Sequence, residues 1–553
     1  MSDHCSSSSS PIDPRSGFCS ETKTFHSLSP PVPLPSPSLP LPFPSFVFSF
    51  LPSPLPSHPA YIDPATGFSL SFPDLLSQVH SLTTHLHSRI SKGDVVLVLS
   101  PAGLTVPVLY FALLSLGAVV SPANPASTSH EISRLVSISK PSLAFVTSST
   151  SHKLPPELPF ILLDSSDFKS FLEPLQNNNY GEFDTDVNRV IYQSDPAAIL
   201  YSSGTTGRVK GVMITHRNFI AGLAPLVAAV RNCTIPAVLM LTVPLFHIYG
   251  FVYVLKTLAL GETVVMQTER FNARQTLRIV EQFRVTNLPL APPALLALVR
   301  IAEEEGLKWD LSSLQMVYCS GAPLGKELIY RFSRCFPNVQ FGQGYGMTES
   351  AGGCFRLYGQ EGTKYTGSVG RLVSGCEAKI VDPVTGVALP PSSPGEIWIR
   401  GQQIMKGYVG DVESTSTTID HEGWLKTGDL GFINDDGFLF VVDRLKELIK
   451  CRGYQVPPVE LEDLLQMHPD ITEAAVIPYP DEEAGQVPMA FIVKRTGSNL
   501  NEKQIKDFIS EKVAPYKRIR HAFFIDSIPK NLSGKILRRK LRELASVRMG
   551  SRL

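Results

Sequence analysis

Three short stretches of the chain bring together side chains that could do nucleotide chemistry. The first, "YSSGTTGRVKGV" at 201–212, is small, hydroxyl-rich and hinged by glycine. Backbone N–H groups in such a turn can surround phosphate oxygens, and Ser202, Ser203, Thr205 and Thr206 add hydroxyl donors. Gly204 and Gly207 admit positive φ and close approach, and Lys210 supplies charge. The familiar phosphate loop ends in Gly-Lys-Ser/Thr, whereas here Gly211 follows Lys210, so no hydroxyl stands ready for a metal. A Ser/Thr-rich surface turn would look the same. The second stretch, "GQGYGMTES" at 342–350, offers a stacking ring in Tyr345 and a hydroxyl–carboxylate pair in Thr348 and Glu349. A carboxylate beside phosphates can hold Mg²⁺, although a helix-start carboxylate would read alike. In the third, "GWLKTGDLG", Asp429 could accept hydrogen bonds from two ribose hydroxyls, or simply close a turn.

These loops need rigid elements behind them. From about Asp94 a strand-then-helix rhythm begins: "DVVLVLS" reads as a buried strand, "LYFALLSLGA" as a helix, "SLAFVT" and "FILLD" as strands. Later apolar runs pass straight into polar loops: "AAILYSSGTTG", "AVLMLTVPLFH", "LQMVYCSGAPLG" and "VQFGQGYGMTES". Such runs predict an α/β fold with parallel-rich sheets flanked by helices, and ligands at the C-terminal ends of the strands. Past "GEIWIRG" the pattern changes. Pro457 and Pro458 open a helix, two strands, a helix, a strand and a basic helix follow, and a small, mobile α+β domain is expected over 443–553. The large domain then spans 61–442, with a hinge at 443–446.

The chain has 553 residues, 50 Lys plus Arg against 50 Asp plus Glu, so no global field favours nucleic acid or an anionic membrane. Its eight cysteines form no Cys-x-x-Cys pair, which argues against a zinc site or a disulfide framework. Residues 1–60 are rich in Ser and Pro and are expected to be disordered or extended. The apolar run Phe46–Leu51 is too short to span a bilayer, so no stable membrane insertion is expected. The chain stops at Ser551-Arg552-Leu553, close to the Ser-Lys-Leu address read by the peroxisomal import receptor, which makes the peroxisome the expected compartment and the cytoplasm the default if the signal is not read.

Taken together, "YSSGTTGRVKGV", "GYGMTES", "GWLKTGD", "DRLKELIKCRGYQV" and "PKNLSGKILRR" follow the order of the adenylate-forming superfamily of acyl-CoA synthetases, luciferases and peptide-synthetase adenylation domains. The stretches "VPLFHIYG" and "CSGAPLGKEL" most resemble plant 4-coumarate–CoA ligase-like proteins of the peroxisomal type, and the likeness runs from about residue 60 to the end. The resemblance implies an AMP-forming ligase that uses ATP, Mg²⁺ and coenzyme A. A small-molecule carboxylic acid attacks the α-phosphate, pyrophosphate leaves, and the coenzyme A thiol then displaces AMP.

By the same resemblance, Ser202, Ser203, Gly204, Thr205, Thr206 and Lys210 would steer the β- and γ-phosphates, and Glu349 would hold the metal. Gly321, Gln343, Gly344 and Tyr345 would wall the adenine and acyl-adenylate, and Thr348 would meet the α-phosphate. Asp429 and Arg444 would bind the ribose, while His247 and Tyr249 would border the acyl pocket. Lys535 would stabilise charge developing in adenylation. Lys446 at the hinge, Lys450, Arg452 and Gly453 would serve thioester formation, and Arg270 the coenzyme A phosphates. Relatives carry Lys where this chain has Arg452 and often Arg270, which keeps the charge and changes the geometry.

The expected acid is a hydroxycinnamate such as 4-coumarate, with a medium- or long-chain fatty acid or a jasmonate precursor as the alternative. Coumarate ligases usually have Pro-Val where this chain has Gly352-Gly353, and Tyr253 and Tyr318 stand where smaller residues or Met are common. Luciferase-like oxygenation shares the scaffold. A serine acyl-enzyme is a weaker reading, since "SISK" and "KTG" lack the Ser-Asp-Asn between them.

Overall fold

The computed structural model describes residues 11–174, 189–202, 209–230, 237–269, 271–357, 365–452, 454–531 and 534–550. The apolar runs become central strands as expected. Val95–Leu99 pairs in parallel with Val119–Pro122 and Leu143–Val146, and Phe160–Leu162 extends that edge. On the other side Pro196–Ser202 joins Val119–Pro122 in parallel and pairs antiparallel with Lys210–Thr215, and the short strand Gly407–Tyr408 completes a seven-stranded sheet. A nine-stranded sheet has a parallel centre through Thr263–Met266, Val238–Leu241, Asn287–Leu290, Met316–Cys319 and Gln340–Met347. Gly352–Leu357 and Arg371–Leu372 cap it in antiparallel sense. Helix Thr105–Ser115 has apolar residues all round and is buried, as a helix packed between layers must be.

A third sheet, wholly antiparallel, runs through Cys376–Val381, Gly395–Gly401, Leu425–Ile433 and Leu439–Arg444. Its alternating burial pattern, seen in Leu425–Ile433, marks a sheet with one covered face. The fourth sheet lies wholly within Ile449–Phe524, so the change of sheet falls between Arg444 and Ile449. The "DRLKELIK" stretch is not an amphipathic helix: a strand end, one short 3₁₀ turn at Leu445–Glu447 and a new strand share it. Among the described residues no helix is long and apolar enough to cross a membrane.

The expected disorder of residues 1–60 is corrected for residues 11–60. Thr24–His26 forms a strand against Cys376–Val381, with Phe25 opposite Ala378 and fully buried. Phe43–Phe48 forms a helix that buries Phe43, Phe46 and Val47 in the main core. Prolines withhold N–H donors but leave carbonyls to accept, and the large domain supplies donors for them. Gln193 Nε2 donates to the carbonyls of Ser36 and Leu39, and Arg217 Nη1 to that of Pro35. The apolar residues between the prolines then provide the burial that composition alone obscured.

Candidate nucleotide and acyl site

Ser202 ends one strand and Lys210 starts the next, and the two are direct partners across the pair, so both ends of the hydroxyl-rich loop are fixed at one place. Residues 203–208, including Ser203, Gly204, Thr205 and Thr206, lie outside the described residues. From this fixed base the Ser202 hydroxyl donates to Glu349 Oε1 at 2.7 Å. Tyr408 donates to the same oxygen at 3.0 Å, and its ring lies 4.5 Å from Lys210 Nζ. Glu349, Thr348 and Lys210 are all buried. Thr348 and Glu349 sit in a single 3₁₀ turn that follows the Gln340–Met347 strand directly. Tyr408 was not singled out in the sequence: "KGYVGD" looks like a plain turn, yet Tyr408 lies in a two-residue strand opposite Val212, which brings it to Glu349.

A second cluster stands around Asp429. Tyr345 donates to Asp429 Oδ2 at 2.7 Å, and Arg444 Nε lies 3.2 Å from Asp429 Oδ1. Asp429 and Arg444 are cross-strand partners, so the sheet itself sets this ion pair. Burial and the neighbouring Asp429 charge push the Tyr345 hydroxyl well above its ordinary range, so it stays a donor. Gln343, one strand alternation away, is buried with its Oε1 unpaired among the described residues. An unpaired buried carbonyl oxygen is costly, and a ligand amine would satisfy it.

Lys535 comes to this cluster from the far end of the chain. Gly534 has φ of +83°, and a Cβ there would fall 2.4 Å from Pro293 Cδ, so the glycine loop lies directly on the start of helix Pro292–Glu305. Asn531 Oδ1 accepts from the Lys535 N–H at 2.8 Å and shapes the loop. Burial first, then the positive charges of Arg444 and Lys446, lower the Lys535 ammonium to about 8, with Asp429 opposing. Lys446 is shifted down by burial and by Arg444 in the same way. Lys535, Lys446, Arg444 and Asp429 therefore share one electrostatic neighbourhood. Lys450 and Arg452 do not join it: Lys450 is exposed with its N–H bonded to Gln486, and Arg452 is exposed beside Glu483 at 3.9 Å. Arg452 has φ of +51°, an unusual geometry for a non-glycine residue. Arg270 and Gly453 lie outside the described residues.

His247 caps helix Ile248–Ala259, its Nδ1 accepting from the Tyr249 N–H at 3.3 Å. Burial lowers its pKa, so the ring is neutral at neutral pH with its proton on Nε2. Behind it, Tyr249 is half-buried with its hydroxyl shielded from solvent; that burial raises the hydroxyl above its ordinary range, and Tyr253, Cys319 and Tyr318 lie near enough to raise it further. The Tyr249 and Tyr253 rings meet edge to face at 5.1 Å. Tyr318 packs over Gly342, where a Cβ would fall 2.7 Å from the ring. Gly321 has φ of +90° and open space where a Cβ would stand, as does Gly352 with φ of +130°. The described residues thus give a cluster of aromatic side chains, a neutral histidine that caps the helix carrying two of them, and two polar clusters.

This fold and this pairing of clusters define a class. The pattern of the AMP-binding enzyme family matches residues 53–409, and that of the AMP-binding enzyme C-terminal domain matches residues 460–535. The chain belongs to this family, and it is an ATP-dependent, AMP-forming acyl-CoA ligase working with Mg²⁺ and coenzyme A. It is 46% identical to 4-coumarate--CoA ligase-like 9 of Arabidopsis thaliana, over 97% of each chain. It is 44% identical to Peroxisomal OPC-8:0-CoA ligase 1 of the same plant, over 97% of this chain and 98% of that one. Among solved structures, ATP-bound MatB from Rhodopseudomonas palustris superposes with a TM-score of 0.81 at 26% identity, covering 91% of this chain and 98% of that one.

Proposed function

We propose that the two clusters divide the nucleotide between them. Ser202 with residues 203–206 and Lys210 would steer the leaving pyrophosphate, and Tyr345, Asp429 and Arg444 would hold the ribose. Gln343, Gly344 and Gly321 would wall the adenylate. Thr348 would meet the α-phosphate. Glu349 is the carboxylate that would hold Mg²⁺, which neutralises phosphate charge when bound. Among the described residues no group of three His, Cys, Asp or Glu converges, and one carboxylate is what a metal shared with phosphates and water needs.

In the first displacement a carboxylate oxygen attacks the α-phosphorus and pyrophosphate leaves. In the second the coenzyme A thiolate attacks the acyl carbon and AMP leaves. Lys535 would stabilise the charge that develops in the first. The carrying observation is that Lys535, from the small C-terminal unit, shares a neighbourhood with Asp429 and Arg444 of the third sheet. For the second, the small unit would turn about 443–446 and present Lys450, Arg452 and Gly453 instead, with Arg270 meeting the coenzyme A phosphates. Lys450 and Arg452, exposed and away from the nucleotide cluster, fit a face used at another stage.

The acid is a hydroxycinnamate such as 4-coumarate, whose flat ring suits the Tyr249, Tyr253 and Tyr318 walls. A longer fatty or jasmonate-precursor acid is the second reading, favoured by the open space at Gly352. Ser551-Arg552-Leu553, outside the described residues, would deliver the chain to the peroxisome through its import receptor. Carboxylate-dependent pyrophosphate release, measured with and without coenzyme A over a panel of acids, tests the reading. Acid-dependent release without coenzyme A and AMP plus thioester with it are expected; no release with any acid would sink it.

A further inference from the structure

The Ser/Pro-rich segment closes a cavity against the large domain. The Ser27 hydroxyl donates to the carbonyl of Leu372 at 3.0 Å, the Val32 N–H to Ser374 Oγ at 3.2 Å, and Ser374 Oγ in turn to the carbonyl of Pro30 at 2.9 Å. The turn before it rests on Gly437, where a Cβ would fall 2.9 Å from the Ser16 carbonyl oxygen. Held in this way, the segment forms one wall of a cavity of about 460 Å³. Leu28 and Val32 line that wall, and Pro225 and Ala229 of helix His216–Val230 line the cavity as well. Sites for small organic molecules run from about 300 to 1,000 Å³. None of His247, Tyr249, Tyr253 or Tyr318 lines this one.

Among these apolar walls stand two guanidinium groups. Arg356 and Arg371 also line the cavity, and they are direct partners across the antiparallel pair of Gly352–Leu357 with Arg371–Leu372. Partners so placed share one face of the sheet, and like charges there repel. The Arg371 guanidinium lies 4.4 Å from the centre of the Phe438 ring, and Tyr365 stacks on the same ring at 3.8 Å. Stacking occupies a face of the guanidinium and leaves the N–H donors at its edge. Among the described residues no carboxylate or carbonyl takes those donors, and Nε is buried without a hydrogen-bond partner. Glu377, which His26 of the cavity wall meets at 3.2 Å, is already held by Arg400 at 2.6 Å. A half-buried cation without a counter-charge is costly, and an anion gripped between the two arginines would offset both that cost and their repulsion.

We propose that this cavity binds an amphipathic anion, with a carboxylate or phosphate head held by Arg371 and Arg356 and an aliphatic chain against Leu28, Val32, Pro225 and Ala229. The site is separate from the acyl pocket, and the inference stands beside the ligase reading without resting on it. A bare inorganic anion would gain nothing from the apolar walls. An uncharged chain would leave the two cations facing each other. Both halves of the ligand are therefore needed.

The test is isothermal titration of the full chain with decanoate, decyl phosphate, decanol and inorganic phosphate. At least one of the two chain-bearing anions should bind about tenfold or more tighter than decanol and than inorganic phosphate, and the tighter of the two names the head group. Arg371→Gln should bring that anion down to the level of decanol, and Ala229→Trp should weaken it by narrowing the apolar wall. Ala229 is exposed near a helix end, so its variant decides the matter if Arg371→Gln does not fold. In both variants kcat/KM for pyrophosphate exchange, with an acid the enzyme turns over, should stay within about twofold of wild type. Anion binding that survives in either folded variant would put the ligand elsewhere and overturn the proposal. Decanol binding as tightly as the anions, or no anion binding at all, overturns it too. Exchange lost in step with anion binding would make the cavity part of the acyl site, which is the opposite of what is proposed.

Discussion

The Ser202 hydroxyl donates to Glu349 Oε1 at 2.7 Å, so the strand that opens the hydroxyl-rich loop also holds the carboxylate proposed for the metal. Tyr408 grips the same oxygen and lays its ring beside Lys210. The two strand ends at Ser202 and Lys210 and the Glu349 carboxylate are therefore one mechanical unit. Glu349→Gln keeps an acceptor for both hydroxyls and removes only the charge. The fold should survive, the Mg²⁺ requirement should rise, and acid-dependent ATP–pyrophosphate exchange should fall by about a hundredfold or more. Tyr408→Phe removes one hydrogen bond to a charged group, worth about 1.5–3 kcal/mol, so about a ten- to hundredfold loss in exchange is expected. Unchanged exchange in Glu349→Gln would exclude the metal role.

Lys535 carries the pH prediction. Its ammonium is lowered from 10.5 to about 8, first by burial and then by Arg444 and Lys446. Below about 8 it is charged and able to stabilise the adenylation transition state; above that it loses its proton. The kcat/KM of pyrophosphate exchange reports the free enzyme, so it should fall as pH rises through about 8. For stability the sign is the reverse: a lysine lowered on folding costs stability below about 8, and the cost is relieved as pH climbs toward 10.5. Lys535→Ala should abolish the alkaline limb and lower adenylation by several orders of magnitude, yet leave thioester formation from supplied acyl-adenylate near wild type. Equal loss of both half-reactions would refute the division of labour.

Much of this was legible in the chain. The parallel strands were written as apolar runs ending in glycine and hydroxyl residues, because a strand covered on both faces needs no polar alternation. Ser202, Glu349, Tyr345, Asp429 and Arg444, which the structure gathers into two clusters, were singled out because motif order survives without a structure. Tyr408 was not, since its partner lies 59 residues away and its strand is only two residues long, too short to leave a pattern. The Ser/Pro-rich start misled most. Composition reports helix-breaking, and the burial of Phe25, Phe43 and Val47 depends on a surface built by residues far downstream.

That segment yields a truncation test. Removing residues 1–60 strips the two edge strands Phe18–Cys19 and Thr24–His26 from the third sheet and takes Phe43, Phe46 and Val47 out of the main core. Each such side chain contributes about 1.5–3 kcal/mol when buried, and a domain holds only about 5–15 kcal/mol in total. The shorter chain should therefore be insoluble or melt far lower in a thermal scan. A soluble 61–553 chain with the wild-type melting temperature would show that the segment merely rests on the surface.

The final prediction concerns the seat of the Lys535 loop. Gly534 holds φ of +83° while lying against Pro293, where any Cβ would stand 2.4 Å from Cδ. Alanine there meets two penalties, a left-handed backbone and a clash with a rigid ring, together about 1–3 kcal/mol or more. Both bear on the arrangement in which Lys535 faces the Asp429–Arg444 pair. The clash with Pro293 would be specific to it, because the proposed turn would take the small unit away from Pro293. Gly534→Ala should thus slow pyrophosphate exchange by about tenfold or more, with little change in thioester formation from pre-made acyl-adenylate. Pro293→Ala shortens the opposing side chain and should restore part of the lost exchange. Recovery in the double variant would tie the defect to docking rather than to folding, and failure of rescue together with a lowered melting temperature would assign it to local misfolding of the loop.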